Sequence, residues 1–219
     1  MHIADGDLMD MEMIKPPRWL EWAREIQALA QTGTHYAENQ YQRERNHRLL
    51  EIAAEIVAEH TGLGIDPLVS VFDRQIGYAT PRVDVRGAVF HEGKLMLVRE
   101  RQDGGWTMPG GWADVGDLPS HAVEREVWEE AGLQVKASRL VGVYDANRVG
   151  PLEVFHAFKL VFLCDWLAGE PRSSDETSEV AFFSQENIPS PLSGERTLPR
   201  HIADAFAALA DPHCLAVFD

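Results

Sequence analysis

The stretch from Gly110 to Leu133, GGWADVGDLPSHAVEREVWEEAGL, constrains this chain more than any other. Its second half places Arg125, Glu126, Glu129 and Glu130 within six residues, bracketed by Gly111 and Gly132. Pro119 suits the first turn of a helix, where its missing N–H costs nothing, and Gly132 suits the position just past a helix end. The spacing therefore predicts a helix over Pro119 to Ala131. Val123, Val127 and Ala131 recur every four residues and mark a buried stripe. Glu126 and Glu130 recur at the same interval on a different face, beside Glu129.

Carboxylates crowded in this way repel one another by roughly a few tenths of a kcal/mol per pair in an isolated helix, so the patch asks for a cation. A hard divalent ion is the natural candidate. Mg2+ prefers oxygen ligands, keeps several waters and is commonly held by carboxylates together with substrate phosphates. The competing reading is an ordinary solvated helix face, which a lone Glu-Glu pair would favour. The two glycines and the spaced acids around the helix decide against it.

The segment resembles the Nudix box, in which a Gly, five residues, an acid and seven residues precede Arg-Glu-aliphatic-any-Glu-Glu-any-Gly-aliphatic. Gly111, Asp117, Arg125, Glu126, Val127, Glu129, Glu130, Gly132 and Leu133 stand at those places, with one departure, Asp117 where the pattern has Glu. The resemblance implies that Glu126, Glu129 and Glu130 bind metal and that the Gly110 or Gly111 carbonyl completes the shell. It also implies that Arg125 holds one glutamate in its working orientation, and that the general base is Glu129 or, from a downstream loop, Glu179. The expected ion is Mg2+, with Mn2+ as the other compatible choice. Such ions neutralise a diphosphate, orient it and acidify a water for in-line attack.

A chain of 219 residues holds one medium domain, or one domain and a small appendage. The formal net charge of −15 repels a phosphate backbone and argues against nonspecific nucleic-acid binding. It does not exclude a nucleotide substrate, because a bound cation reverses the local sign. Cys164 and Cys214 are far apart and in no CxxC pattern, so reduced thiols in a cytoplasm are the simplest account. The most apolar later stretch, Val154 to Ala168, is interrupted by His156, Lys159 and Asp165, so no membrane span is expected.

Residues 1–16 read as a flexible leader rich in acids. Residues 17–66 read as a helical hairpin, one helix from Pro17 to the Thr32-Gly33-Thr34 stop and another from about Glu38 to Glu59. Two such helices bury too little surface alone, so their apolar faces are expected to dock in a homodimer. Ile65 to Pro81 reads as an extended connector, and residues 67–219 as the hydrolase domain. In the latter, Val83, Val85 and Val89 alternate, a turn follows at Glu92-Gly93, and Leu95 to Arg99 returns. Leu140 to Tyr144, Val154 to Cys164 and Val180 to Phe183 read as further strands, and Pro199 to Leu209 as a closing helix. This is an α+β arrangement with a mixed sheet, in agreement with the α/β/α sandwich that the resemblance implies.

The N-terminal helices, the segment Gly77 to Arg86 and Glu176 to Phe183 are similar to one branch of that superfamily. Its members carry a helical N-terminal domain and cleave nucleoside diphosphates linked to another group, with ADP-ribose and CDP-choline types of substrate both compatible. The rival expectations are a nucleoside triphosphate pyrophosphohydrolase and a noncatalytic ligand sensor. Arg99, at a strand end, is expected to reach a phosphate through its planar fork, with Arg86 a weaker choice. Gly110 and Trp112 complete the expected substrate contacts. Tyr78, Trp106, Tyr144 and His156 are the other candidates to meet base or sugar, against the commoner role of such side chains in packing.

Overall fold

The structure is a computed structural model that describes residues 17–146, 156–194 and 196–219. The expected leader and the Val154 start of an expected strand lie outside the described residues.

Helix α1 (Arg18–His35) turns Leu20, Ala23, Gln27, Ala30 and Gln31 inward. Helix α2 (Gln40–Thr61) begins where the Asn39 side chain accepts from the Gln42 N–H at 2.9 Å, and ends at Gly62 in the left-handed region. Contrary to expectation, α1 runs through Gly33. A Cβ there would stand 2.7 Å from Asn46 Oδ1, so the glycine permits a close helix crossing and does not stop the helix. The segment expected to be extended begins instead with helix α3 (Ile65–Asp73), which contains the expected boundary between residues 66 and 67. Leu68 and Phe72 of α3 close a small core with Ala23, Ala30, Leu50, Ala53, Ala54 and Val57. Nine residues are too few for helical periodicity to stand out, and Pro67 in the first turn is well tolerated there.

The remaining elements are β1 (Arg82–His91), β2 (Lys94–Glu100), β3 (Trp106–Thr107), β4 (Gly110–Trp112), α4 (Pro119–Ala131), β5 (Leu133–Asp145), β6 (Ala157–Gly169), β7 (Thr177–Phe183), a 3-10 turn at Gln185–Asn187, α5 (Pro199–Ala210) and β8 (Val217–Phe218). They form a mixed sheet in the order β3-β2-β1-β6-β5-β8, with β4 added to β1 and β7 to β2. The β1–β6 and β5–β8 pairs are parallel and the others antiparallel. Val123, Val127 and Ala131 of α4 pack on Val85, Val89, Met96 and Val98. Ile202, Ala205 and Phe206 of α5 pack on the other face, against Ala88, Leu95, Leu97 and Val161. The result is a helix-sheet-helix sandwich preceded by a helical unit.

One detail of the sheet positions the site. β1 meets β2 only beside their turn, at Phe90↔Leu95 and His91↔Lys94, and further on it pairs with β4 from Asp84 to Arg86. The strands diverge, and the loop from Glu100 to Gly110 enters the gap. α4 brings its glutamates to that opening.

Candidate active site

The predicted helix and α4 coincide, and Gly132 caps α4 with φ 73°. The glutamates on it differ in surroundings. Glu130 is buried and accepts from the Gly110 N–H at 3.1 Å. Glu126 lies against Gly111, where a Cβ would stand 2.9 Å from Glu126 Oε2. Glu129 is half exposed and faces Arg125. Arg125 donates to Glu126 Oε1 at 2.7 Å and Glu129 Oε2 at 3.3 Å through Nη1, and to Asp117 Oδ2 at 3.2 Å through Nη2. Asp117 is thus long enough to meet the arginine despite being one methylene shorter than Glu.

Burial raises the Glu130 carboxyl to about 8, against the opposing pull of Arg86 and the Gly110 N–H. Burial also raises Glu126, with Arg125 pulling it down and Glu129 pushing it up. Both acids therefore sit where negative charge is undercompensated. Their oxygens, with the backbone carbonyls of Gly110 and Gly111 at the start of β4, offer hard donors, and the missing Cβ of Gly111 keeps the space beside Glu126 open. That set fits a divalent cation with its remaining places filled by water. Among the described residues no three His, Cys, Asp or Glu side chains converge as a ready cage.

Arg86 does not present a fork to solvent. It is buried, with Nε and Nη2 bonded to Asp84 at 2.9 and 2.7 Å and Nη1 to the Met108 carbonyl at 3.3 Å. Its charge instead faces Glu130 and Glu100 from beneath. Arg99 remains at the surface, where Nε donates to the Gly104 carbonyl at 2.9 Å and Nη1 lies 3.8 Å from Glu179. Arg99 and Glu179 are direct cross-strand partners, and two residues before Glu179 the Thr177 hydroxyl donates to the Glu130 carbonyl at 2.7 Å. Of the two candidate bases, Glu129 stands on α4, whereas Glu179, expected in a loop just ahead of a strand, lies within β7 with its carboxylate beside Arg99.

Trp112 is 44% exposed, with the Arg82 guanidinium 5.8 Å from its ring centroid. With Tyr78 and His156 it lines a cavity of about 1040 Å3 between α1 and the loop ahead of α4. Trp106 and Tyr144 are core residues: Trp106 meets Phe183 edge-on, and the Tyr144 hydroxyl donates to Asp204 at 2.9 Å.

Sequence reasoning missed the buried charges beneath the site. Asp84 and Lys159 are parallel register partners, 3.9 Å apart, and Lys159 Nζ donates to the Arg196 carbonyl at 2.8 Å. Glu100 is buried, its carboxyl raised by burial against the pull of Arg196 and Arg86. The only signal was alternation in Val83-Asp84-Val85-Arg86, which reads as a solvent face until a second helix covers it.

Residues 17–72 match the family described as UDP-X-like, N-terminal oligomerisation domain, and residues 80–205 match the NUDIX domain. The Bacillus subtilis (strain 168) protein YjhB, provisionally named an ADP-ribose pyrophosphatase, is 36% identical over 203 residues, covering 92% of this chain and 97% of that one. A Streptococcus suis structure described as an ADP-ribose pyrophosphatase is 38% identical, with a TM-score of 0.59 over 64% of this chain and all of that chain. A structure described as UDP-X diphosphatase is 28% identical, with a TM-score of 0.60 over 92% of this chain and 98% of that one. The domain match takes in more than half of the chain and the YjhB similarity nearly all of it, so the chain belongs to the Nudix hydrolase family, enzymes that act on phosphoanhydride bonds.

Proposed function

We propose that this protein hydrolyses the phosphoanhydride of nucleoside diphosphates linked to a second moiety, giving a nucleoside monophosphate and a phosphorylated partner. The observation that carries this reading is the meeting of Glu126 and Glu130 with Gly110 and Gly111 at the start of β4, braced by Arg125. The relatives' names support the substrate class: two are called ADP-ribose pyrophosphatases and a third UDP-X diphosphatase. ADP-ribose is the first compound to try, with UDP- and CDP-linked compounds such as CDP-choline beside it.

Nudix hydrolases generally use divalent metal ions. In this chain Glu126, Glu130 and the Gly111 carbonyl would hold Mg2+, or Mn2+ in its place, with Glu129 at the edge. Such an ion, when bound, neutralises phosphate charge and promotes ionisation of water. The protein's own part is positional. Arg125 holds Glu126 and ties the Asp117 loop to α4. Arg99 keeps a surface guanidinium, now bonded to the Gly104 carbonyl, that a phosphate would recruit, and Arg86 supplies fixed positive charge from below, in place of direct phosphate contact. Glu129 or Glu179 takes the proton from the attacking water. The test is a hydrolysis screen with Mg2+ that identifies every product. A nucleoside monophosphate and a phosphorylated partner are expected, whereas release of inorganic pyrophosphate from a triphosphate would overturn the reading.

The helical unit, taken as residues 17–73, is proposed to form a homodimer. Trp22 and Leu29 on α1, Tyr36 just past its end, and Tyr41 and Leu49 on α2 are exposed, more apolar surface than one small unit leaves uncovered without purpose. Sedimentation should give a dimer for the full chain and a folded monomer for the Trp22→Glu, Leu29→Glu double variant. A variant that stays dimeric would refute this interface.

A further inference from the structure

The N-terminal helical unit faces the cavity of about 1040 Å3 with polar side chains, which oligomerisation alone does not explain. Gln27 and Gln31 of α1 line it, both 9% exposed. Gln27 Nε2 donates to Gln31 Oε1 at 2.7 Å, and Gln31 Nε2 donates to the Gly77 carbonyl at 3.1 Å. The amides are thereby held rigid in the wall of a cleft large enough for a nucleoside, since ligand pockets span about 300–1000 Å3. The opposite wall is Trp112, directly after the Gly111 that touches Glu126, and Asp117, held by the same Arg125 that holds Glu126. One end of the cleft therefore adjoins the glutamate site.

The chemistry of the walls selects the occupant. Glu21, Glu25, Asp114, Asp117 and Asp145 line the cleft against Arg24 and Arg82, so its walls carry an excess of negative charge that disfavours a phosphate and accepts a neutral group rich in N–H donors. Trp112 offers a flat π surface for stacking, and side-chain amides pair with the donor and acceptor edge of a base. Phosphates stay at α4, and the planar, hydrogen-bonding end of the substrate passes Trp112.

We infer that the cleft between α1 and Trp112 is the nucleobase compartment, so that the helical unit supplies specificity residues, Gln27 foremost, to the hydrolase site. This deepens the hydrolase reading proposed above and rests on it for the placement of the phosphates. It assigns the nucleoside half, not the second moiety, to the N-terminal side.

The experiment is calorimetric titration of the full-length protein with AMP, CMP, UMP and GMP, and separately with ribose 5-phosphate, in the wild type and in Gln27→Leu and Trp112→Ala. Neither substitution removes a core apolar side chain, and melting curves identify properly folded variants. For the nucleoside monophosphate bound best, each variant should bind about tenfold more weakly, the loss of one stacking or edge contact. Ribose 5-phosphate, which lacks a base, should bind all three proteins alike. Wild-type nucleotide affinity in either variant overturns the assignment, as does a loss confined to ribose 5-phosphate, which would place the second moiety in the cleft. Binding needs no turnover, so the result is separable from the hydrolysis screen. A hydrolase whose nucleotide affinity ignores Gln27 and Trp112 would lose this inference and keep its activity.

Discussion

Glu130→Gln should lower kcat by about 10^3-fold while the protein remains folded, the scale seen when one preorganised charge-stabilising group is lost. The amide keeps the shape of the carboxyl and still offers an oxygen to the Gly110 N–H, which now lies 3.1 Å from Glu130 Oε2. What it loses is charge. Retained turnover would sink the assignment of Glu130 to the cation. Stability supplies an independent check with a definite sign. Burial raises the Glu130 carboxyl from its ordinary 4.5 to about 8. Below 4.5 the group is protonated in both folded and unfolded chains and costs nothing. As pH climbs from 4.5 toward 8, the unfolded chain releases the proton first, so the fold loses stability, and above 8 the loss is complete. In chelator at pH 8.5, Glu130→Gln should therefore melt about 5 °C or more above the wild type, and at pH 4 the difference should vanish. Added Mg2+ should raise the wild-type melting temperature at pH 8.5 and leave that of the variant nearly unmoved.

Gly110→Ala is expected to damage the fold itself. Gly110 has φ 150°, a conformation open to glycine alone, and a Cβ there would stand 1.9 Å from the Val85 carbonyl oxygen and 2.9 Å from Arg86 Cα. The obstacle is backbone in a central strand, so no side chain can swing away. The cost should be about 3 kcal/mol or more, with a fall of roughly 10 °C in melting temperature and loss of activity. Gly116→Ala is the control. Its φ is 101°, but no atom lies within 4 Å of the added Cβ, so it should cost about 1 kcal/mol. Gly111→Ala separates fold from function: the added Cβ meets the Glu126 carboxylate at 2.9 Å, so activity should fall further than stability. Equal melting temperatures for Gly110→Ala and Gly116→Ala would show that β4 is not anchored on β1 as described.

Periodicity and punctuation were sufficient wherever one helix or strand shows a single face to a core. Pro119, Gly132 and the Val123, Val127, Ala131 stripe placed α4 to the residue. The box spacing singled out Glu126, Glu129 and Arg125, which the structure brings into contact, because those residues interact through sequence-local geometry on one helix. The same reasoning misjudged Gly33 and α3, where packing against a neighbour overrode local signals: Asn46 fills the space a side chain would need, and Leu68 and Phe72 gain a core that nine residues cannot provide alone.

The sequence by itself determined the chemistry: a loop and helix with three glutamates, an arginine and two glycines at spacings that suit phosphoanhydride hydrolysis. Only the tertiary structure decided how those groups differ. It buried Glu130 against the Gly110 N–H, left Glu129 at the surface, and withdrew Arg86 beneath the site, bonded to Asp84 and the Met108 carbonyl on a strand face that alternation alone would assign to water. It also brought Gln27 and Gln31 of α1 into the same cleft as Trp112. Alternation records that a strand has two faces, but desolvation depends on what is folded over each of them, and that is set by contacts between residues distant in the chain.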